Sequence, residues 1–172
     1  MLLVFIYLTT RLINLDLLPI FNDEAIWIDW GYRAVNLKGF LFYSLLDAKP
    51  PLLMWLFGLM QKIISDPLIA GRMVSVIFGL ITLLGIYKIS QELFSQKLAY
   101  IASILYIVNP LFLFFDRQAL LESAISACGI WAFYFLYKLV ETGNRKYAFS
   151  LGLTLGIGYF IKSNTLIFLS VC

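Results

Sequence analysis

From Leu98 to Phe115 the chain runs without a charged residue, and a second apolar stretch begins at Arg72 and continues to Tyr87. Such stretches leave little structural choice. In hydrocarbon their backbone polar groups need internal partners, and a helix supplies these within one segment. Roughly 20 mostly apolar residues suffice for a crossing. Two more stretches run from about Leu120 to Leu139 and from about Tyr147 to the end of the chain. Charged residues are 13% of the total, against about 25% in an ordinary soluble domain. The reading is an all-α, polytopic helical membrane protein rather than one compact soluble core.

Several function classes drop out. The formal net charge of +3 is small and spread along the chain, so no basic block points to nucleic acid. There is no histidine, hence no imidazole for catalysis or metal ligation. Cys128 lies in an apolar run and Cys172 is the last residue, which makes neither a disulfide framework nor a metal motif.

Residues 1 to about 18 read as the end of a first span, because the first charge after Met1 is Arg11. The opening lacks the basic region and cleavage site of a signal peptide. The last segment stops inside an apolar run. The expectation is a fragment, residues 1–172 forming the N-terminal part of one transmembrane domain. Residues 19–71 would be an extracytoplasmic loop with interfacial helices, and 72–172 further spans. In that loop Ile26, Trp30, Ala34 and Leu37 recur at helical spacing, with Asp29, Arg33 and Asn36 between them. With Trp27 and Tyr32 nearby, this reads as an amphipathic interfacial helix. The apolar stretch Leu52 to Met60 is too short to cross and reads as interfacial or re-entrant.

Charge asymmetry orients the spans. Lys88 and Lys97 flank one short loop, and Lys138, Arg145 and Lys146 another, whereas the turn at "NPLFLFFDRQALLES" has only Arg117 as a cation. The positive-inside rule puts the first two in the cytoplasm and the third outside. The long loop is then outside as well. Asp23, Glu24 and Lys49 lie in it, Asp116, Arg117 and Glu122 lie at the outer turn, and Lys162 lies late in the last span. Ionisable groups of both signs thus converge near the outer face. Such groups in membrane segments usually mark a cavity, a pathway or a site.

Each of these residues also has a structural reading. Asp23 and Glu24 follow Asn22, a good N-cap, and acids are favoured in a first helical turn. Lys49 precedes Pro50 and Pro51, which start a helix; its cation either reaches water or meets an anion at that helix end. Arg117 and Glu122 could flank a turn, and Lys162 could reach the interface along its own stem. Gly152 and Gly156 form a small-residue pair read as a packing surface. The aromatics fit core and interfacial belts rather than a ligand box.

Three stretches carry a family resemblance: "RLINLDLLPIFNDEA", then "KPPLLMWLFGLMQKI", then "DPLIAGRMVSVIFGLITLLGIYKISQELF". In that order they resemble the N-terminal part of a GT-C glycosyltransferase of the protein O-mannosyltransferase and ArnT-like group, glycosyltransferase family 39 and its relatives. The resemblance implies a GT-C-like fold and a sugar donor carried on a polyprenyl phosphate. It implies a protein, lipid or glycan acceptor outside the cytoplasm. By resemblance Asp23 is the catalytic carboxylate, either a general base or a ligand arranging a divalent metal, and Glu24 is its neighbour in both roles. Lys49 matches the lysine before Pro-Pro and, with Arg117 and Lys162, would contact the donor phosphate. Glu122 would be a supporting acid where the family often has aspartate. The enzyme would be a multi-pass protein of the plasma (inner) membrane with its site on the extracytoplasmic side. A multi-span lipid or solute transporter is the competing reading. It would gather its charges near the midplane on broken helices.

Overall fold

The computed structural model describes residues 1–170, so Cys172 lies outside the described residues. Among them every regular element is helical. In chain order these are α1 (Leu2–Leu12), α2 (Asn22–Asn36), a 3-10 turn (Tyr43–Asp47), α3 (Leu52–Met60), α4 (Pro67–Leu93), α5 (Gln96–Val108), α6 (Pro110–Phe115), α7 (Glu122–Thr142), α8 (Arg145–Ile161) and a second 3-10 segment (Ser163–Ser170).

Two of these helices, α4 and α7, are long and apolar enough to cross a membrane. At about 1.5 Å per residue, the 27 residues of α4 exceed a hydrocarbon core of about 30 Å. The sequence starts this helix at Arg72, but it begins five residues earlier. The Asp66 carboxylate caps it by accepting the Ile69 N–H at 2.9 Å, and Pro67 sits at the first helical position, where its missing N–H costs nothing. Arg72 is therefore one turn inside the helix rather than at its edge.

Other expected spans are shortened by local chemistry. The stretch Leu98 to Phe115 is not one helix. Pro110 disfavours helical geometry at Asn109, which is extended at φ −65°, ψ 122°. The Asn109 side chain then caps α6 through the Leu111 N–H at 2.9 Å. The last span also ends early. Lys162 is extended (φ −157°, ψ 129°), and the Thr165 hydroxyl donates to its carbonyl at 2.8 Å, a local bond that competes with helix continuation. The first helix stops at Leu12, where Ile13 turns extended. The N-cap of α2 is Phe21, one residue before the expected Asn22, so Asn22 is helical and both acids still fall in the first turn.

The consecutive helices α4 and α5, and α7 and α8, pack as antiparallel neighbours, α2 packs on α3, and α4 and α7 lie side by side in the same direction, Ser75 meeting Leu120 at one end and Glu92 meeting Lys138 at the other. Trp27, Leu53, Phe57, Val74 and Leu120 form one core under α2, α3 and α4, while Tyr7, Val76, Leu83 and Tyr106 form another joining α1, α4 and α5. Helices α2 and α3 cross at glycines. A methyl on Gly58 would lie 2.1 Å from the Gly31 carbonyl oxygen, so no side chain fits between them. The Gly152–Gly156 face meets nothing within 4 Å among the described residues, so the packing role read for it has no partner there.

Between α1, α4, α5 and α7 lies a buried polar cluster. Arg11 is 0% exposed and contacts Asp116 at 3.3 Å. Asp116 also accepts the Tyr106 hydroxyl at 2.9 Å and the Ser123 hydroxyl at 3.0 Å. Arg11 Nη1 donates to the Ile107 carbonyl at 2.6 Å. With these partners the buried ion pair is nearly saturated, the condition under which such a pair is tolerated. On the outside, Leu105, Val140 and Phe149 are strongly exposed, a surface suited to lipid rather than water.

Candidate functional site

The N-termini of α4 and α7 and the C-termini of α1 and α8 meet at one end of the bundle, where α2 and α3 cover them; the Arg11–Asp116, Arg72–Glu24 and Lys162–Glu122 pairs all lie there. At this end is a cleft of about 220 Å³ lined by Phe21, Asp23, Trp27, Lys49, Phe115, Leu120, Leu121, Glu122 and Lys162. Four of the six residues singled out in the sequence, Asp23, Lys49, Glu122 and Lys162, thus share one cavity although they come from four separate segments. A larger, mostly apolar cavity of about 370 Å³ adjoins it and shares Phe115, Glu122 and Lys162.

Local structure explains how each arrives. Asp23 is in the first turn of α2, exposed, and makes no hydrogen bond or ion pair among the described residues. Lys49 leaves a turn closed by its own N–H, which donates to the Ser44 carbonyl at 3.0 Å. Ala48 adopts the left-handed conformation that reverses the chain there (φ 53°). Lys162 stands at the break after α8, and its ammonium meets Glu122 Oε1 at 3.1 Å. The break frees Lys162 from the helix axis and lets it reach across to the start of α7.

Glu24 is placed differently. It is 0% exposed and points away from the cleft. Its Oε1 accepts from Arg72 Nε at 2.7 Å and from the Ala119 N–H at 2.8 Å. Its Oε2 accepts from Arg72 Nη2 at 2.9 Å and from the Phe21 N–H at 3.2 Å. Arg72 in turn donates to the carbonyls of Leu15 at 2.7 Å and Leu18 at 3.0 Å. One carboxylate therefore ties α2, α4 and the segment before α7 together, and so fixes the turn that presents Asp23.

The structure does not bring Arg117 to the cleft. Its guanidinium donates to the carbonyls of Thr10, at 3.0 Å, and Asn14, at the end of α1. Burial, with Arg72 and Arg11 nearby, lowers its pKa from the usual arginine value. This end of the fold already holds two buried cations, and Arg117 serves there as a cap on the α1 carbonyls. Sequence reading used Arg11 and Arg72 as the bounds of apolar runs, Arg72 also within a stretch that carries the family resemblance, and assigned neither a partner. The signal that could have marked them was their position against apolar runs, each matched by one acid far away in sequence.

The residues present do not suit a divalent metal. Such ions want several oxygen ligands. Both Glu24 oxygens are occupied, Glu122 faces an ammonium, and no three metal-binding side chains gather among the described residues. Asp23 alone remains, beside two lysines.

Comparison with known proteins bears on the same end of the fold. The model of the dolichyl-phosphate-mannose-protein mannosyltransferase family matches residues 48–171. The chain belongs to this family. The matched stretch contains Lys49, Arg117, Glu122 and Lys162, while Asp23 and Glu24 precede it. No curated protein and no solved structure matches. This member of the mannosyltransferase family is accordingly a GT-C-type, membrane-associated glycosyltransferase chain, and the cleft lies largely within the part that defines the family.

Proposed function

We propose that this chain forms the N-terminal part of a multi-pass membrane glycosyltransferase that moves a sugar from a polyprenyl-phosphate donor to an acceptor outside the cytoplasm. The observation that carries the reading is the convergence of one unpaired carboxylate, Asp23, with two lysines, Lys49 and Lys162, in a single cleft beside an apolar cavity.

The chemistry follows from the charges. A polyprenyl chain stays in apolar surroundings while its phosphate sits at the polar edge. Lys49 and Lys162 supply the positive charge that holds the phosphate and stabilises it as the sugar departs. Glu122 holds Lys162 in place through its 3.1 Å contact. Asp23 accepts the proton of the acceptor hydroxyl as that oxygen attacks the anomeric carbon. The bond formed is acceptor oxygen to carbon, the bond broken is carbon to phosphate oxygen, and the proton rests on Asp23. A single displacement inverts the anomeric centre. Glu24, sealed against Arg72, orients the turn and takes no proton.

The exposed apolar faces support a membrane setting and the charge asymmetry of the loops supports an extracytoplasmic site, which we place at the plasma membrane. The test is transfer of labelled mannose from polyprenyl-phosphate mannose by the full-length protein in liposomes supplied with protein, lipid and glycan acceptors. Transfer that disappears in a Lys49→Ala, Lys162→Ala variant is the expected result. A folded wild-type protein that transfers nothing while a donor-independent solute flux is measured would favour a transporter instead.

A further inference from the structure

Trp27 lines the cleft and is 8% exposed. Two other tryptophans show how an enclosed indole is normally satisfied: Trp55 Nε1 donates to the Leu41 carbonyl at 2.6 Å, and Trp131 Nε1 to the Ile81 carbonyl at 3.0 Å. Trp27 Nε1 has no partner among the described residues. It is not sealed in either, because the only fully occluded side-chain polar atom there without a partner is Ser44 Oγ. Of the cavities at this end of the fold, the one Trp27 borders is the cleft. An unpartnered, donor-only group that is not fully occluded thus belongs to a nine-tenths buried side chain on the wall of the cavity that holds Asp23.

Its place within the cleft narrows what it can meet. Trp27 is four residues after Asp23, on the same face of α2. Side chains on a helix lean toward its N-terminus, so the indole lies over the turn that carries the carboxylate. The lysines come from other segments, before α3 and after α8. A phosphate is drawn to those cations, whereas the group beside Asp23 is the sugar whose anomeric carbon the acceptor attacks. We propose that Trp27 Nε1 donates a hydrogen bond to a hydroxyl of the transferred sugar and so helps to determine which sugar is used. The inference rests on the glycosyltransferase reading. The rest of the indole is packed in the core with Leu53, Phe57 and Leu120, so the contact proposed is made by the edge N–H alone.

A site built to hydrogen-bond a hydroxyl rejects the analogue that lacks it. The experiment compares polyprenyl-phosphate mannose with its monodeoxy analogues as donors for the full-length protein in liposomes. The proteins are wild type, Trp27→Phe, and a variant with benzothienylalanine at position 27, which keeps the bicyclic ring and replaces N–H by sulfur. Wild type should discriminate against one deoxy donor by about tenfold or more in kcat/KM. Both variants should use mannose less well and lose that one discrimination while keeping the others. A purely packing role would lower kcat/KM for all donors in the same ratio and would be overcome by the isosteric ring; that result overturns the proposal. Wild type that transfers mannose with no deoxy preference also overturns it and leaves the glycosyltransferase reading intact. No transfer by folded wild type removes both.

Discussion

Arg72 and Glu24 meet through two hydrogen bonds of 2.7 and 2.9 Å across 48 residues of sequence, and neither side chain is exposed. The pair joins the start of α4 to the first turn of α2. It therefore sets where Asp23 stands without touching the cleft itself. Removing one partner leaves the other as an unpaired buried charge, which typically costs about 3–5 kcal/mol. Arg72→Met and Glu24→Gln should each lower the thermal unfolding temperature of the full-length protein in detergent. The double variant should be less damaging than the sum of the two, since it leaves no lone charge. Additive losses would mean the pair is not coupled.

The lysines are expected to act on the donor. Losing a hydrogen bond from a charged group costs about 1.5–3 kcal/mol, or roughly 10- to 150-fold. Lys49→Ala and Lys162→Ala should raise the donor KM or lower kcat/KM by that order and leave acceptor affinity nearly unchanged. Arg117→Ala, whose guanidinium caps the α1 carbonyls, should lower thermal stability with little change in donor use. A donor-specific defect in Arg117→Ala with normal stability would return that residue to the phosphate.

The crossing of α2 and α3 has no room for a methyl at Gly58. Overpacking of this kind costs about 1–3 kcal/mol. Gly58→Ala should destabilise the protein and, because α2 carries Asp23, reduce transfer as well. Gly152→Ala, where the added methyl meets nothing within 4 Å, should leave stability unaltered. Equal effects of the two substitutions would show that the crossing is looser than described.

Orientation in the membrane is open to direct labelling. In a cysteine-free background, Asn36→Cys, in the α2 region, should react with an impermeant maleimide added outside intact cells. Gly143→Cys, between α7 and α8, should react only after permeabilisation. The opposite pattern would put the cleft in the cytoplasm.

Much of this was legible in the sequence for a physical reason. Apolar runs, prolines and capping residues act locally, so the helical class, the short helix Leu52–Met60 and the first-turn placement of Asp23 and Glu24 could be read directly. The ends of α5 and α8 were missed because the Asn109-Pro110 step and the Ser163–Thr165 cluster are short polar interruptions with apolar residues on both sides, so each surrounding stretch still reads as one apolar run. The roles of Glu24 and Arg117 were not legible either. Adjacent acids on a helix point about 100° apart, and which one meets the cleft depends on where Arg72 and Ala119 come to rest in three dimensions. Arg117 looked like a free cation because its partners are backbone carbonyls, which carry no sequence signature.

Asp23 is exposed and unpaired at a helix start, so a dipole role and a catalytic role remain distinct in what they forbid. The decisive measurement is sugar transfer from polyprenyl-phosphate mannose by wild type and Asp23→Asn at matched folded amounts, with thermal unfolding alongside. If Asp23 takes the proton, the asparagine variant keeps its fold and loses about 10²- to 10⁴-fold in turnover. If the carboxylate only favours the helix end, stability falls by about 0.3–1 kcal/mol and turnover stays within about threefold of wild type, which would contradict the assignment of Asp23 as the base.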